Sequence, residues 1–146
     1  MAQQDESNRP KVGVGLLIFK NGTHVLLGKR INSHGEGEFA GVGGHMENGE
    51  SYRDTAMREM REEIGDEIQI TEPQILVISN VRKYAPKHYI DIGMTAEWVS
   101  GEAKLMEPHK FASWGWCPLD ELPKPLFEFV KIYLDVLKTG EKFIEL

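Results

Sequence analysis

One cysteine, Cys117, stands among the 146 residues, so no internal disulfide framework can hold this chain together. That scarcity suits a reducing compartment. Nothing beside Cys117 in sequence marks an activated thiol, and it reads as a buried small residue rather than a nucleophile. No apolar run approaches the roughly 18 residues that a membrane-spanning helix needs, and no signal-peptide pattern follows Met1. A cytoplasmic protein with no membrane partner is therefore expected. Positive charge is also short: 17 Lys and Arg face 23 Asp and Glu, a net charge of −6. This argues against general binding of a nucleic-acid polymer. An anionic ligand would need metal ions or a local basic patch. Repeats and linkers are absent as well, which leaves a single domain long enough to bury its own core.

Against these absences, one stretch is dense with signals. Residues 43–65 read GGHMENGESYRDTAMREMREEIG. Ser51 is a natural helix N-cap, Asp54 completes a weak capping box, and Gly65 stands where the helix should stop. At helical spacing Ala56, Met60 and Ile64 form a core-facing stripe, while Glu59, Glu62 and Glu63 share an adjoining arc. Like charges so spaced destabilise an isolated helix by a few tenths of a kcal/mol per pair. A divalent cation held by hard oxygen ligands would offset that repulsion. The simpler alternative is a solvated acidic face.

The spacing weighs against that alternative. Gly44, five residues, Glu50, seven residues, then Arg58-Glu59-Met60-Arg61-Glu62-Glu63-Ile64-Gly65 resembles the Nudix box, G-x5-E-x7-R-E-U-x-E-E-x-G-U, with every fixed letter present. Met60 replaces the usual aliphatic residue. Asp66 stands where an apolar residue is expected, with Ile68 available for its packing role. The resemblance implies metal ligation by Glu59, Glu62, Glu63 and the Gly43 carbonyl, and a structural ion pair between Glu50 and Arg58. Mg²⁺ is the expected ion, with Mn²⁺ as a substitute, because the donors are hard oxygens with no Cys or His cluster. His45 reads as a loop residue rather than a ligand.

Along the rest of the chain, residues 12–19 form a nearly continuous apolar run, as expected for a strand buried on both faces. Asn21-Gly22 predicts a hairpin into a second strand over 23–28. A loop over 31–38 precedes a short strand near Phe39. Strands are predicted over 67–70 and 74–81, split at Glu72-Pro73, and a basic loop over 82–88. Residues 89–98 alternate, with Ile90, Ile92, Met94, Ala96 and Trp98 on one face. A strand holds Trp114 and Trp116, and a turn occupies 118–122. A last helix is predicted from Pro125, carrying Leu126, Phe129, Val130, Tyr133, Leu134 and Leu137 on one side and ending near Gly140. The order suggests α+β with a mixed sheet, which the resemblance sharpens to a Nudix-type α/β/α sandwich. The domain is expected over 10–146, after a disordered segment over 1–9.

Smaller pieces look like the MutT-type branch: LLGKR at 26–30, GGH at 43–45, EPHK at 107–110, SWGW at 113–116, and LP at 122–123 followed by PLF at 125–127. Two differences stand out. Gly41-Val42-Gly43-Gly44 replaces the branch's Leu-Pro-Gly-Gly, and Glu128-Phe129 stands where close relatives carry Trp followed by Gly or Pro. The branch implies hydrolysis of a nucleoside triphosphate to monophosphate and pyrophosphate, with water activated by one of Glu62, Glu63 or Glu107. Lys29 and Arg30 are candidates for the phosphates, and Phe127 for the base. A homodimer is left open. Two rivals are a Nudix hydrolase of a nucleotide sugar, ADP-ribose or an isoprenoid diphosphate, and a non-catalytic nucleotide sensor.

Overall fold

The computed structural model describes residues 8–146. The disordered segment expected over 1–9 lies, for residues 1–7, outside the described residues. The chain opens with β1 (Lys11–Lys20), an Asn21-Gly22 turn and β2 (His24–Arg30). Both turn residues have positive φ, 55° and 69°, the conformation a tight hairpin with right-handed strand twist demands. Next come β3 (Phe39–Ala40), β4 (Val42–His45) and α1 (Tyr52–Ile64). They are followed by β5 (Gln69–Ile70), β6 (Gln74–Val81), β7 (Tyr89–Ser100) and β8 (Phe111–Pro118). The chain closes with α2 (Glu128–Thr139) and β9 (Phe143–Glu145). Among the described residues, no helix is long and apolar enough to cross a membrane.

The sheet is mixed. Its order is β3-β2-β1-β7-β6-β9, with β4 added on β1, β5 on β7 and β8 on β2. β1 runs parallel to β7, and β6 parallel to β9. One edge of β1 serves two partners. Near the turn it pairs with β2, while Gly13 to Leu16 pair with His45 to Val42 of β4. β4 thereby stays on the sheet and delivers the chain straight into α1.

The apolar run of β1 makes sense once both faces are seen. Val14, Leu16 and Ile18 belong to one core with Ala56, Met60, Ile64 and Ile68, beneath α1. Leu17 and Phe19 belong to the other, with Val130, Tyr133 and Val136, beneath α2. A sheet covered by a helix on each face is the expected α/β/α sandwich. Ile68 is 1% exposed, so it does take the packing role that Asp66 leaves. Cys117 is half-buried in β8, and burial pushes its thiol pKa up, away from reactivity.

Three expectations are corrected. The last helix starts at Glu128, not Pro125, because residues 125–127 pair with Phe39: the Phe39 N–H donates to the Pro125 carbonyl, and the Phe127 N–H to that of Phe39. Within that helix Leu137 is 50% exposed and Val136 takes the buried position instead. His45 ends β4 rather than lying in a loop, and strands also form at 42–45 and 143–145, for which the sequence predicts none.

Tyr133 of α2 packs closely against the middle of the sheet, and two glycines make that possible. Gly15 and Gly93 are register partners on β1 and β7. A Cβ on Gly15 would meet the Tyr133 ring at 2.9 Å, and one on Gly93 at 2.5 Å. The Tyr133 hydroxyl donates to Oδ2 of Asp91, another residue of the same face. Burial pushes the Asp91 carboxyl up to about 7, against the opposing effect of that hydrogen bond.

Gly93→Ala is expected to destabilise the fold by about 1–3 kcal/mol through overpacking, read as a lower urea midpoint at unchanged slope. Because the folded carboxyl of Asp91 holds its proton more tightly than an unfolded aspartate does, its contribution is fully present below pH about 4 and is lost as pH rises through about 7. Urea midpoints across that window are expected to show a downward component in the wild type that Asp91→Asn removes.

Candidate active site

Arg58 organises the α1 end of the site. Its Nε donates to Oε2 of Glu50 at 2.7 Å and its Nη2 to Oε1 at 2.9 Å, a two-pronged pairing of fixed orientation. Nη2 also donates to the His45 carbonyl at 2.9 Å, and Nη1 to Oε1 of Glu59 at 2.8 Å. Glu50 further accepts from the Glu47 N–H at 2.8 Å and the Thr55 hydroxyl at 3.0 Å. The Arg58 hydrogen bond, then that of Glu47, holds the Glu50 carboxyl down at about 2. One guanidinium thus ties together the end of β4, the turn before α1 and the helix itself. Ser51 and Asp54 close both halves of a capping box beside it.

The three helix acids differ sharply in surroundings. Glu62 has 46% of its side chain exposed, whereas Glu59 and Glu63 are 7% and 2% exposed as residues. A solvated acidic face is ruled out for those two. Oε1 of Glu63 accepts from the Gly43 N–H at 2.8 Å. Gly44 has no side chain because one would lie on the Glu59 carboxylate, its Cβ 2.7 Å from Oε2. Burial pushes the Glu63 carboxyl up to about 8; the Gly43 bond opposes this, and the charges of Glu59 and Glu107 add to it. Glu59 is raised by burial too, against its hydrogen bond from Arg58. Glu107 brings a further carboxylate: its Oε1 is buried with no hydrogen-bond partner, and Lys110 Nζ is 3.7 Å away.

Among the described residues, no three acidic, His or Cys side chains converge closely enough to hold an ion as they stand. The donor set nonetheless fits a divalent cation. Two buried carboxylates and a Glu107 oxygen without a hydrogen bond are hard donors whose burial Arg58 and Lys110 offset only in part. In an extended strand a residue's N–H and C=O point to the same edge, so the Gly43 carbonyl faces the side where Glu63 holds the N–H. A bound ion would draw the carboxyl pKa values back down.

From this acidic corner a cleft of about 1060 Å³ runs along the sheet to the start of α2. Arg30 lines it, with Cζ 4.6 Å from the centre of the Phe127 ring and Nε donating to the His34 carbonyl at 2.8 Å. Its pKa is lowered by burial, against the pull of Glu63 and Glu38. Lys29, one residue back on β2, is exposed, faces the opposite side and does not line the cleft. Phe127 stands at the N-cap of α2. The His34 ring meets it edge-on at 6.3 Å and meets Tyr84 at 5.5 Å.

Sequence reasoning passed over His34, Tyr84, Lys87 and Lys110, all of which line the cleft. The loop 82–88 showed only its basic composition in sequence. Tyr84 and Lys83 both donate to Glu128 in the first turn of α2, the latter at 2.5 Å, and so the loop becomes a cleft wall. His45 stacks on Tyr89, with ring centres 5.9 Å apart.

Residues 9–137 match the NUDIX domain profile. An ADP-ribose pyrophosphatase of Methanocaldococcus jannaschii is 33% identical over 129 residues, covering 88% of this chain and 74% of that one. An RNA pyrophosphohydrolase of Rickettsia conorii is 29% identical, covering 91% of each. Among solved structures, the MutT NUDIX hydrolase from Burkholderia pseudomallei superposes with a TM-score of 0.78 at 30% identity, covering 87% of this chain and 97% of that one. With every fixed position of the box in place, the chain belongs to the NUDIX domain family and is a hydrolase of pyrophosphate bonds.

Proposed function

We propose that this protein is a Mg²⁺-dependent hydrolase that cleaves a nucleoside triphosphate to the monophosphate and pyrophosphate. The observation that carries this reading is one cleft with two unlike ends. Buried carboxylates lie at one, beside glycine backbone; aromatic rings lie at the other, with Arg30 against Phe127 yet close enough to interact with Glu63. Such a cleft suits an elongated ligand with a polyanionic end and a flat apolar end. The MutT likeness supports the triphosphate.

Glu59, Glu62, Glu63 and the Gly43 carbonyl would hold the ion. When bound, it would neutralise phosphate oxygens and lower the pKa of a water. Glu63 is fixed toward β4 by the Gly43 N–H, and Oε1 of Glu107 accepts no hydrogen bond, with Lys110 Nζ 3.7 Å away. Either of these, or Glu62, would take the water's proton. Arg58 touches Glu59 and orients it from behind. Arg30 and Lys110 supply local positive charge for the phosphates on a chain of net charge −6. Phe127, with His34 and Tyr84 beside it, offers ring faces for a base.

A second reading is favoured by the Methanocaldococcus jannaschii relative: hydrolysis of a diphosphate-linked compound such as ADP-ribose. Chromatography of products formed with Mg²⁺ separates the two. Monophosphate with pyrophosphate is the expected outcome, and turnover confined to ADP-ribose or a nucleotide sugar overturns it. Glu63→Gln is expected to lower kcat by roughly 10²–10⁴-fold, and full Mg²⁺-dependent activity in that variant would remove Glu63 from its role. Phe127→Ala is expected to raise KM by about 5- to 100-fold through lost stacking, with a smaller effect on kcat.

A further inference from the structure

Ring faces hold any base, because every base has a π-face. Telling one base from another needs a polar group in the plane of the ring, and the cleft contains a buried one that the hydrolytic chemistry does not use. Asp91 is 8% exposed and lines the cleft together with Gly13 and Tyr133. Its Oδ2 accepts from the Tyr133 hydroxyl. Among the described residues Oδ1 makes no hydrogen bond, and no Lys, Arg or His pairs with the carboxyl. Even Ser79, its direct neighbour across β6, makes no bond to it and keeps its own buried hydroxyl unpartnered.

A purely structural role does not account for this carboxyl. Tyr133 needs only an acceptor, which an amide or hydroxyl would supply without the cost of burying an ionisable group that lacks a cation. The space over Oδ1 is also kept clear. Gly13, its register partner on β1, has no side chain there, and an added Cβ would stand 3.6 Å from Oδ1. Position fits as well. His45, Gly13 and Asp91 are aligned across β4, β1 and β7. Asp91 is therefore two strand spacings, about 10 Å, from the strand that meets the catalytic acids. That separation leaves room for a sugar between phosphates and base.

We propose that Asp91 is the specificity-determining residue of this hydrolase, accepting through Oδ1 an N–H from the polar edge of the substrate's base. This rests on the reading that the cleft takes a nucleoside triphosphate. A carboxylate is acceptor-only, so the matching edge is rich in donors, as where a ring N–H adjoins an exocyclic amino group in a guanine-type base. Tyr133 acts as a positioning residue, holding the carboxyl in one orientation. Burial without a cation raises the Asp91 pKa, and an N–H donor from a ligand acts in the opposite direction.

The test compares kcat/KM for guanosine and inosine triphosphates, which differ by that amino group, in wild type and Asp91→Asn. Adenosine triphosphate is added as a third base. Affinities for the corresponding monophosphates, measured calorimetrically without metal, give a readout apart from catalysis. Wild type is expected to favour the amino-bearing base by about tenfold or more. In Asp91→Asn, where an N–H₂ group replaces the free acceptor, the ratio is expected to fall to within about threefold. A folded Asp91→Asn that keeps the wild-type ratio and ranking, or a wild type with no preference, overturns the proposal. Should that variant fail to fold, Tyr133→Phe carries the test: a reduced ratio supports the proposal and an unchanged one overturns it. Failure of the underlying reading looks different. Wild type would then release no pyrophosphate from any triphosphate, and with no base to read the proposal falls with it.

Discussion

The contact on which this site depends is the pairing of the Arg58 guanidinium with Glu50. Glu50 fixes two of the Arg58 nitrogens, and the remaining donor directions then fall on the His45 carbonyl and the Glu59 carboxylate. A lysine in that position has the charge but not the planar fork, and could not serve three segments at once. Through this one group the end of β4, the turn at 47–50 and α1 hold fixed relative positions. Glu63 consequently meets the Gly43 N–H of β4 at hydrogen-bonding distance, and the Glu59 carboxylate lies against Gly44. The fold provides the frame, since β1 yields half of one edge to β4. Arg58 makes that frame rigid where acids and backbone meet.

The balance of charge follows from the same arrangement. Burying Glu59 and Glu63 is costly, and Arg58 compensates only part of it. Glu107 adds a further negative group from a different part of the chain. The site is thus left short of positive charge by construction, as suits a place where a cation and a polyanion meet. Positive charge comes from the walls of the cleft, where Arg30 and Lys110 are close enough to interact with Glu63 and Lys87 also lies.

How far the sequence could be read depended on how local each signal was. The acids, their cap and the Glu50–Arg58 pair lie within one helix and its preceding turn, so fixed spacing carried them. The Asn21-Gly22 turn was equally legible, because a two-residue turn has few conformations open to it. β4 was not. Its two glycines carry no strand signal, and only pairing with Gly13 to Leu16 makes them strand. The start of α2 was misplaced for a similar reason, since residues 125–127 are claimed by Phe39 from far up the chain. β9 has only three residues and owes its form to β6. The cleft walls were the least legible part. Tyr84 is brought there by Glu128 and His34 lies against Phe127, contacts between distant segments that no local pattern announces.

The two faces of the central sheet carry separate duties, and this has a consequence for how such a protein changes over generations. The acids and their arginine belong to α1 and one core; the floor under Tyr133 belongs to α2 and the other. Substitutions on the second side would alter the cleft wall beneath Tyr133 while leaving Arg58 and the acids of α1 in place. A lineage could therefore wander among ligands without passing through an inactive ancestor. Relatives bearing names as unlike as ADP-ribose pyrophosphatase and RNA pyrophosphohydrolase are what such a divided sheet allows.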